Sequence, residues 1–119
     1  MGDSFKQLVV WQRAVELSLA VYTLTSGFPA SEQFGLTNQL RRAAVSVASN
    51  IAEGYGRSSR GEYIQFLGHA RGSVNEIQTQ LTISRALGFG AGPLRISAER
   101  LAADISRLLN AMLRKLRAQ

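Results

Sequence analysis

The run Gln39-Leu40-Arg41-Arg42-Ala43-Ala44-Val45-Ser46-Val47-Ala48-Ser49-Asn50-Ile51-Ala52-Glu53-Gly54 contains no proline and few bulky side chains, and it constrains the fold more than any other part of the chain. Leu40, Ala44, Val47 and Ile51 recur at steps of four, three and four, which places them on one stripe of a helix facing a core. Between them Ala43, Ser46, Ala48, Ser49 and Ala52 are small, so a neighbouring helix backbone can approach on more than one side. The pattern predicts a buried central helix.

The flanking segments repeat this periodicity. From Lys6 to Phe28, the residues Val10, Ala14, Leu17, Val21, Leu24 and Phe28 keep an unbroken four-three alternation, the stripe of a helix in a bundle. A second apolar line, Leu8, Trp11, Val15, Leu19 and Tyr22, makes this face wider than one seam needs, and Trp11, Val15 and Tyr22 are candidates for a subunit interface. Gly27-Phe28-Pro29 ends the segment. The central helix is expected to start near Leu36 or Thr37 with a cap from Thr37 or Asn38, and to stop at Gly54-Tyr55-Gly56. Ser59 followed by Glu62 has capping-box spacing. A third helix is then expected over about residues 60–87, with Tyr63, Leu67, Ala70, Val74, Ile77, Leu81, Ser84 and Gly88 in heptad register and Phe66 in support. A glycine-rich linker precedes a fourth helix that starts between Pro93 and Ser97, with Leu101, Ile105, Leu108 and Met112 as its core line and Leu109, Leu113 and Leu116 alongside.

Four amphipathic helices with short connections predict an all-α, antiparallel up-down-up-down four-helix bundle in one domain, residues 1–119. Gly68 and Gly72 inside the third helix each cost about 1 kcal/mol relative to alanine, so close packing against the second helix near Ala44 and Ala48 is the expected compensation. If the second and third helices pair about a turn near Arg57 and Ser58, facing positions have numbers summing to about 115. Glu53 then faces Glu62, Asn50 faces Gln65, Ser46 faces His69, and Arg42 faces Ser73, one turn from Glu76. Partial burial makes such residues bond one another, with Arg42–Glu76 and Ser46–His69 as the expected pairs. A lone histidine without a second histidine, a cysteine or a close aspartate reads as structural, not as a catalytic or metal site. No enzyme activity, cofactor or metal is expected.

The charge is unevenly placed. Residues 1–56 carry four basic and four acidic groups, whereas from Arg57 onward ten basic residues face Glu62, Glu76, Glu99 and Asp104, and twelve of the fourteen basic residues are arginine. Arginine grips phosphate through a planar fork, so the excess favours an anionic partner. In an antiparallel bundle Arg57 and Arg60, at the turn, would share one end with Arg114, Lys115 and Arg117, and these five are the candidate nucleic-acid contacts. The absence of cysteine excludes disulfides and thiolate metal sites. Residues 1–4 do not read as a signal peptide and charges interrupt every apolar run, so a cytoplasmic, membrane-free location is expected.

Val10-Trp11-Gln12, Ala14, Val21-Tyr22, Phe28-Pro29, Glu32, Phe34-Gly35-Leu36, Gln39-Leu40-Arg41-Arg42-Ala43, Ser46, Ser49-Asn50-Ile51-Ala52-Glu53-Gly54, Phe66-Leu67 and Ala70-Arg71-Gly72-Ser73 together resemble the four helix bundle proteins called 23S rRNA-intervening-sequence proteins, over about residues 5–88. The resemblance implies a homopentameric ring of bundles around a central channel. It also implies kinship with the accessory protein of diversity-generating retroelements, which binds nucleic acid and a reverse transcriptase. It supplies no catalytic residues. Ala48 stands where relatives often have proline, so a less kinked helix is expected there. A module binding RNA or DNA through phosphates is the first functional expectation, and a structural oligomer that scaffolds a protein partner, such as a reverse transcriptase, is the alternative. Against the first expectation, no RNA-recognition or helix-turn-helix signature appears and aromatics do not interleave with the basic residues as they do in stacking platforms, so any binding should be backbone-directed and poorly sequence-selective.

Overall fold

The structure, a computed structural model, describes residues 4–119, and the reading of residues 1–3 as part of a non-signal leader lies outside them. Four helices, α1 (Val9–Thr25), α2 (Leu36–Tyr55), α3 (Arg60–Ala86) and α4 (Gly92–Arg117), make up nearly all of it, with no strand among the described residues. α2 packs on α1 and α3, and α4 closes the arrangement against α1 and α3. One core draws on all four. Leu17, Leu40, Ile51, Leu67, Ile77, Ile105 and Leu109 are wholly buried in it, each worth about 1.5–3 kcal/mol before entropy is subtracted. The molecule extends 45 × 26 × 23 Å, longer than the roughly 30 Å expected of twenty-residue helices, because α3 has 27 residues and α4 has 26.

The predicted α1 stripe is buried throughout, Val10 through Phe28. The helix itself is shorter than expected. Ser4 caps a one-turn 3-10 helix, Phe5–Gln7, accepting from the Lys6 N–H at 3.1 Å, and extended backbone at Leu8 separates this turn from α1. The α2 cap also differs. Thr37 is buried inside the helix and Asn38 caps nothing; instead the Leu36 N–H donates to Glu32 Oε1 at 3.0 Å. A carboxylate from the preceding turn thus satisfies an amide that has no partner in the helix.

Ser59 caps α3 as predicted, accepting from the Glu62 N–H at 3.1 Å. Two bonds end α3: Phe89 N–H to the Ser84 carbonyl at 2.9 Å and Gly88 N–H to the Arg85 carbonyl at 3.0 Å. Together they form a Schellman cap, with Gly88 in the left-handed region at φ 75°. At Gly90, φ is 80° and a Cβ would lie 2.7 Å from Leu24 Cδ1 and 2.9 Å from Phe28 Cε1, so the linker is pinned to the core through a residue that must be glycine.

α4 starts earlier than expected, at Gly92 with Pro93 in its first turn and Ser97 well inside. Its buried line is Ala98, Ala102, Ile105, Leu109 and Leu113, while Leu101, Leu108, Met112 and Leu116 are half-buried flanks. The helix is rotated relative to the sequence reading, so that Ala98 and Ala102 face the core where Leu101 and Leu108 were expected to.

The interior glycines correct another expectation. A Cβ at Gly68 or Gly72 would meet nothing within 4 Å, so neither lies at the α2–α3 contact. The glycine that does is Gly54, where a Cβ would fall 2.7 Å from Phe66 Cβ and 3.1 Å from Tyr63 Cδ1.

Candidate nucleic-acid interface

The α2–α3 seam fixes which polar groups remain available. Ser46 Oγ pairs with Ser73 Oγ at 3.0 Å, and Asn50 Nδ2 donates to the Ser46 hydroxyl at 2.9 Å and to its carbonyl at 2.8 Å. Gln80 Nε2 reaches Gln39 Oε1 at 3.5 Å. The expected Ser46–His69 pair does not form: His69 is exposed, edge-on to the Phe66 ring. Arg42 and Glu76 line one groove without bonding, and Glu53 is held by Arg57 instead of facing Glu62. The register is offset for a physical reason. Side chains on a helix lean toward its N-terminus, so each contact between opposed helices uses residues about one position further along on both, which raises position sums by about two. At Ser46–Ser73 and Gln39–Gln80 the sums are 119 instead of about 115, so lean supplies about half of the offset.

The basic residues divide into tied and free. Arg57 Nη2 bonds Glu53 Oε2 at 2.7 Å, and its guanidinium carbon sits 4.7 Å from the Phe66 ring centre. Arg13 pairs with Glu16, and Arg107 with Asp104. Arg71 Nη1 donates to Asn110 Oδ1 at 3.2 Å, tying α3 to α4. Arg60, Arg114, Lys115 and Arg117 are exposed and take part in none of the ion pairs among the described residues.

Of the candidate interface residues on α1, Trp11 is partly covered, packed on the core and edge-on to Phe5 with ring centres 5.3 Å apart. Val15 is half-buried, Tyr22 is 45% exposed and Leu19 is 65% exposed. Sequence periodicity gave no sign of what lies beside Tyr22. The turn before α2 brings Phe34, 87% exposed, to an open cavity of about 620 Å³ shared with Tyr22, Arg41, Arg42 and Val45. The Arg41 Nε donates to Thr25 Oγ1 at 2.8 Å, and its guanidinium lies 4.5 Å from the Tyr22 ring centre.

Tyr63 stands beside Gly54 at the α2–α3 contact. Burial, and secondarily the neighbouring Tyr55, pushes its phenol pKa above the ordinary value. No group of three His, Cys, Asp or Glu side chains that could hold a metal occurs among the described residues. None of their helices is long and apolar enough to cross a membrane.

These features define an all-α, four-helix protein with a surplus of unpaired arginine. Residues 6–111 match the family model of the 23S rRNA-intervening sequence protein, and the chain belongs to that family. A crystal structure at 1.70 Å resolution of a protein of unknown function from the S23 ribosomal protein family of Bacteroides thetaiotaomicron VPI-5482 has the same fold. It superposes with a TM-score of 0.79 and 21% sequence identity, covering 88% of this chain and 98% of that one. A comparison with curated proteins gives no match.

Proposed function

We propose that the protein is a non-enzymatic oligomeric helical bundle of cytoplasmic location that binds RNA or DNA with little sequence preference through its unpaired basic side chains. The observation that carries this reading is the excess of ten basic over four acidic residues from Arg57 onward, with Arg60, Arg114, Lys115 and Arg117 outside every ion pair among the described residues. In an up-down-up-down arrangement the end of α4 lies level with the α2–α3 turn. The Arg71–Asn110 bond supports that level, since both helices continue from it toward the basic residues. A homopentameric ring would repeat the cluster around its axis and raise avidity above that of one contact. The uncovered Leu19 and the half-buried Val15 on α1 support contacts between copies.

Titration of fluorescent single-stranded and duplex oligonucleotides at low and physiological salt tests the reading. Affinity should fall steeply with salt as counterions are released, and replacing Arg114, Lys115 and Arg117 with glutamine should weaken binding and flatten that dependence with helicity intact. No binding to either oligonucleotide would favour the alternative, a scaffold that docks a protein partner such as a reverse transcriptase.

A further inference from the structure

The groove beside the start of α2 has no role in the end-of-bundle reading, yet its composition is unlike the rest of the surface. Phe34 projects from the turn with 87% of its area exposed. Across the groove Tyr22 carries Arg41 stacked on its face, and Arg41 is held there by its bond to Thr25. Arg42 is exposed on the same rim. The cavity, about 620 Å³, lies within the usual size range of ligand sites. Its charged lining consists of arginine alone, and Gln33 and Asn38 add amides to it. Glu76 lies on the far side of Arg42, in the adjoining groove, and forms no pair with it.

One uncovered aromatic ring, Phe34, beside a guanidinium held in place at Arg41 and a second, exposed one at Arg42, without a carboxylate in the lining, suits a strand that offers flat bases and phosphates at short intervals. A second copy of the chain suits this groove less well. Glu16, Glu53 and Asp104 are already paired with arginines, and Glu32 caps α2, so a basic surface would be brought against Arg41 and Arg42 with few carboxylates to answer them. We propose that this groove binds single-stranded nucleic acid, a base stacking on Phe34 while the flanking phosphates are held by Arg41 and Arg42. The interleaving of aromatic and basic residues that is missing along the sequence is assembled here by the fold.

This inference rests on the nucleic-acid reading, and the test separates the two. A labelled single strand of about 10 nucleotides, within the span of known single-strand sites, and its duplex are titrated by fluorescence anisotropy, with oligomeric state followed by light scattering. Phe34→Ala should weaken single-strand binding roughly tenfold and leave duplex binding unchanged, and Phe34→Trp should restore it. Arg42→Gln should lower the single-strand salt slope by about 0.7 for one lost phosphate. The inference is overturned if Phe34→Ala binds the single strand as the unaltered protein does, or loses strand and duplex equally. It is also overturned if Phe34→Ala disperses the oligomer, which would assign the groove to contact between copies. If glutamine at Arg114, Lys115 and Arg117 abolishes binding while Phe34→Ala changes nothing, the nucleic-acid reading stands and this groove is not its site. Failure of the intact protein to bind either oligonucleotide removes both.

Discussion

Ser46 on α2 and Ser73 on α3 share a hydrogen bond of 3.0 Å between their hydroxyl oxygens, and Asn50 donates to Ser46 from one turn away. Three small or short polar side chains therefore satisfy one another where the two helices come close, and Ser73 is nearly fully buried. Removing one partner leaves a desolvated hydroxyl. Ser73→Ala should cost about 0.5–1.5 kcal/mol in urea unfolding. Ser46→Ala combined with Ser73→Ala should cost less than the sum of the two single changes, because the groups act as a pair. Additive losses would show that the hydroxyls do not depend on each other.

Gly54 and Gly72 should respond in opposite directions to the same substitution. A Cβ at Gly54 would lie 2.7 Å from Phe66 Cβ, which the α3 backbone holds in place. Gly54→Ala should therefore destabilise by about 1–3 kcal/mol through overpacking. At Gly72 nothing lies within 4 Å, and Gly72→Ala should stabilise by up to about 1 kcal/mol from helix propensity. Thermal melts of the two variants decide this. A destabilised Gly72→Ala would mean that its open face is covered in the assembled protein.

Residues differ in how far their sequence signal reached. The stripes of α1, α2 and α3 were legible because large apolar side chains at steps of three and four leave a helix only one way to face the core. Ser59 was legible as the α3 cap because an N-cap is local, although Glu62 Oε1 accepts from the Ser59 hydroxyl at 3.3 Å, not from the backbone N–H of a full capping box. The α4 seam was misread because Ala98 and Ala102 carry less hydrophobic signal than Leu101 and Leu108, and the closer approach that alanine permits depends on its neighbours. Seam pairing failed at Ser46 and His69 through an offset in register, of which side-chain lean supplies about half, that is invisible to counting from the turn. The Phe34 groove escaped altogether, since Tyr22, Phe34 and Arg41 lie in separate segments and meet only through the turn at Glu32.

Alkaline stability should report on Tyr63. Its pKa is raised in the folded chain, chiefly by burial and then by Tyr55, so the folded state holds the phenol proton more tightly than the unfolded state does. The sign follows from linkage: the protonated ring's contribution is intact below the unfolded value of about 10 and is lost as pH rises from there toward the folded value. Unfolding midpoints should thus fall more steeply above about pH 10 for the unaltered protein than for Tyr63→Phe. Identical pH profiles for the two would remove Tyr63 as the cause.

Arg57 and Arg60 are three positions apart and both exposed, yet they should contribute unequally to binding. Arg57 is bonded to Glu53 and lies over the Phe66 ring. To meet a phosphate it would have to give up a surface ion pair worth up to about 1 kcal/mol and a cation–π contact worth roughly 0.5–1 kcal/mol. Arg60 belongs to none of the ion pairs among the described residues, so its whole charge is available to neutralise phosphate. Arg60→Gln should lower the duplex salt slope by about 0.9, the value of one phosphate contact, while Arg57→Gln should change the slope less and register mainly as a small loss of stability. Salt-dependent titrations of both variants beside their urea midpoints measure the two effects separately. Equal slope changes would show that Arg57 leaves Glu53 when nucleic acid arrives.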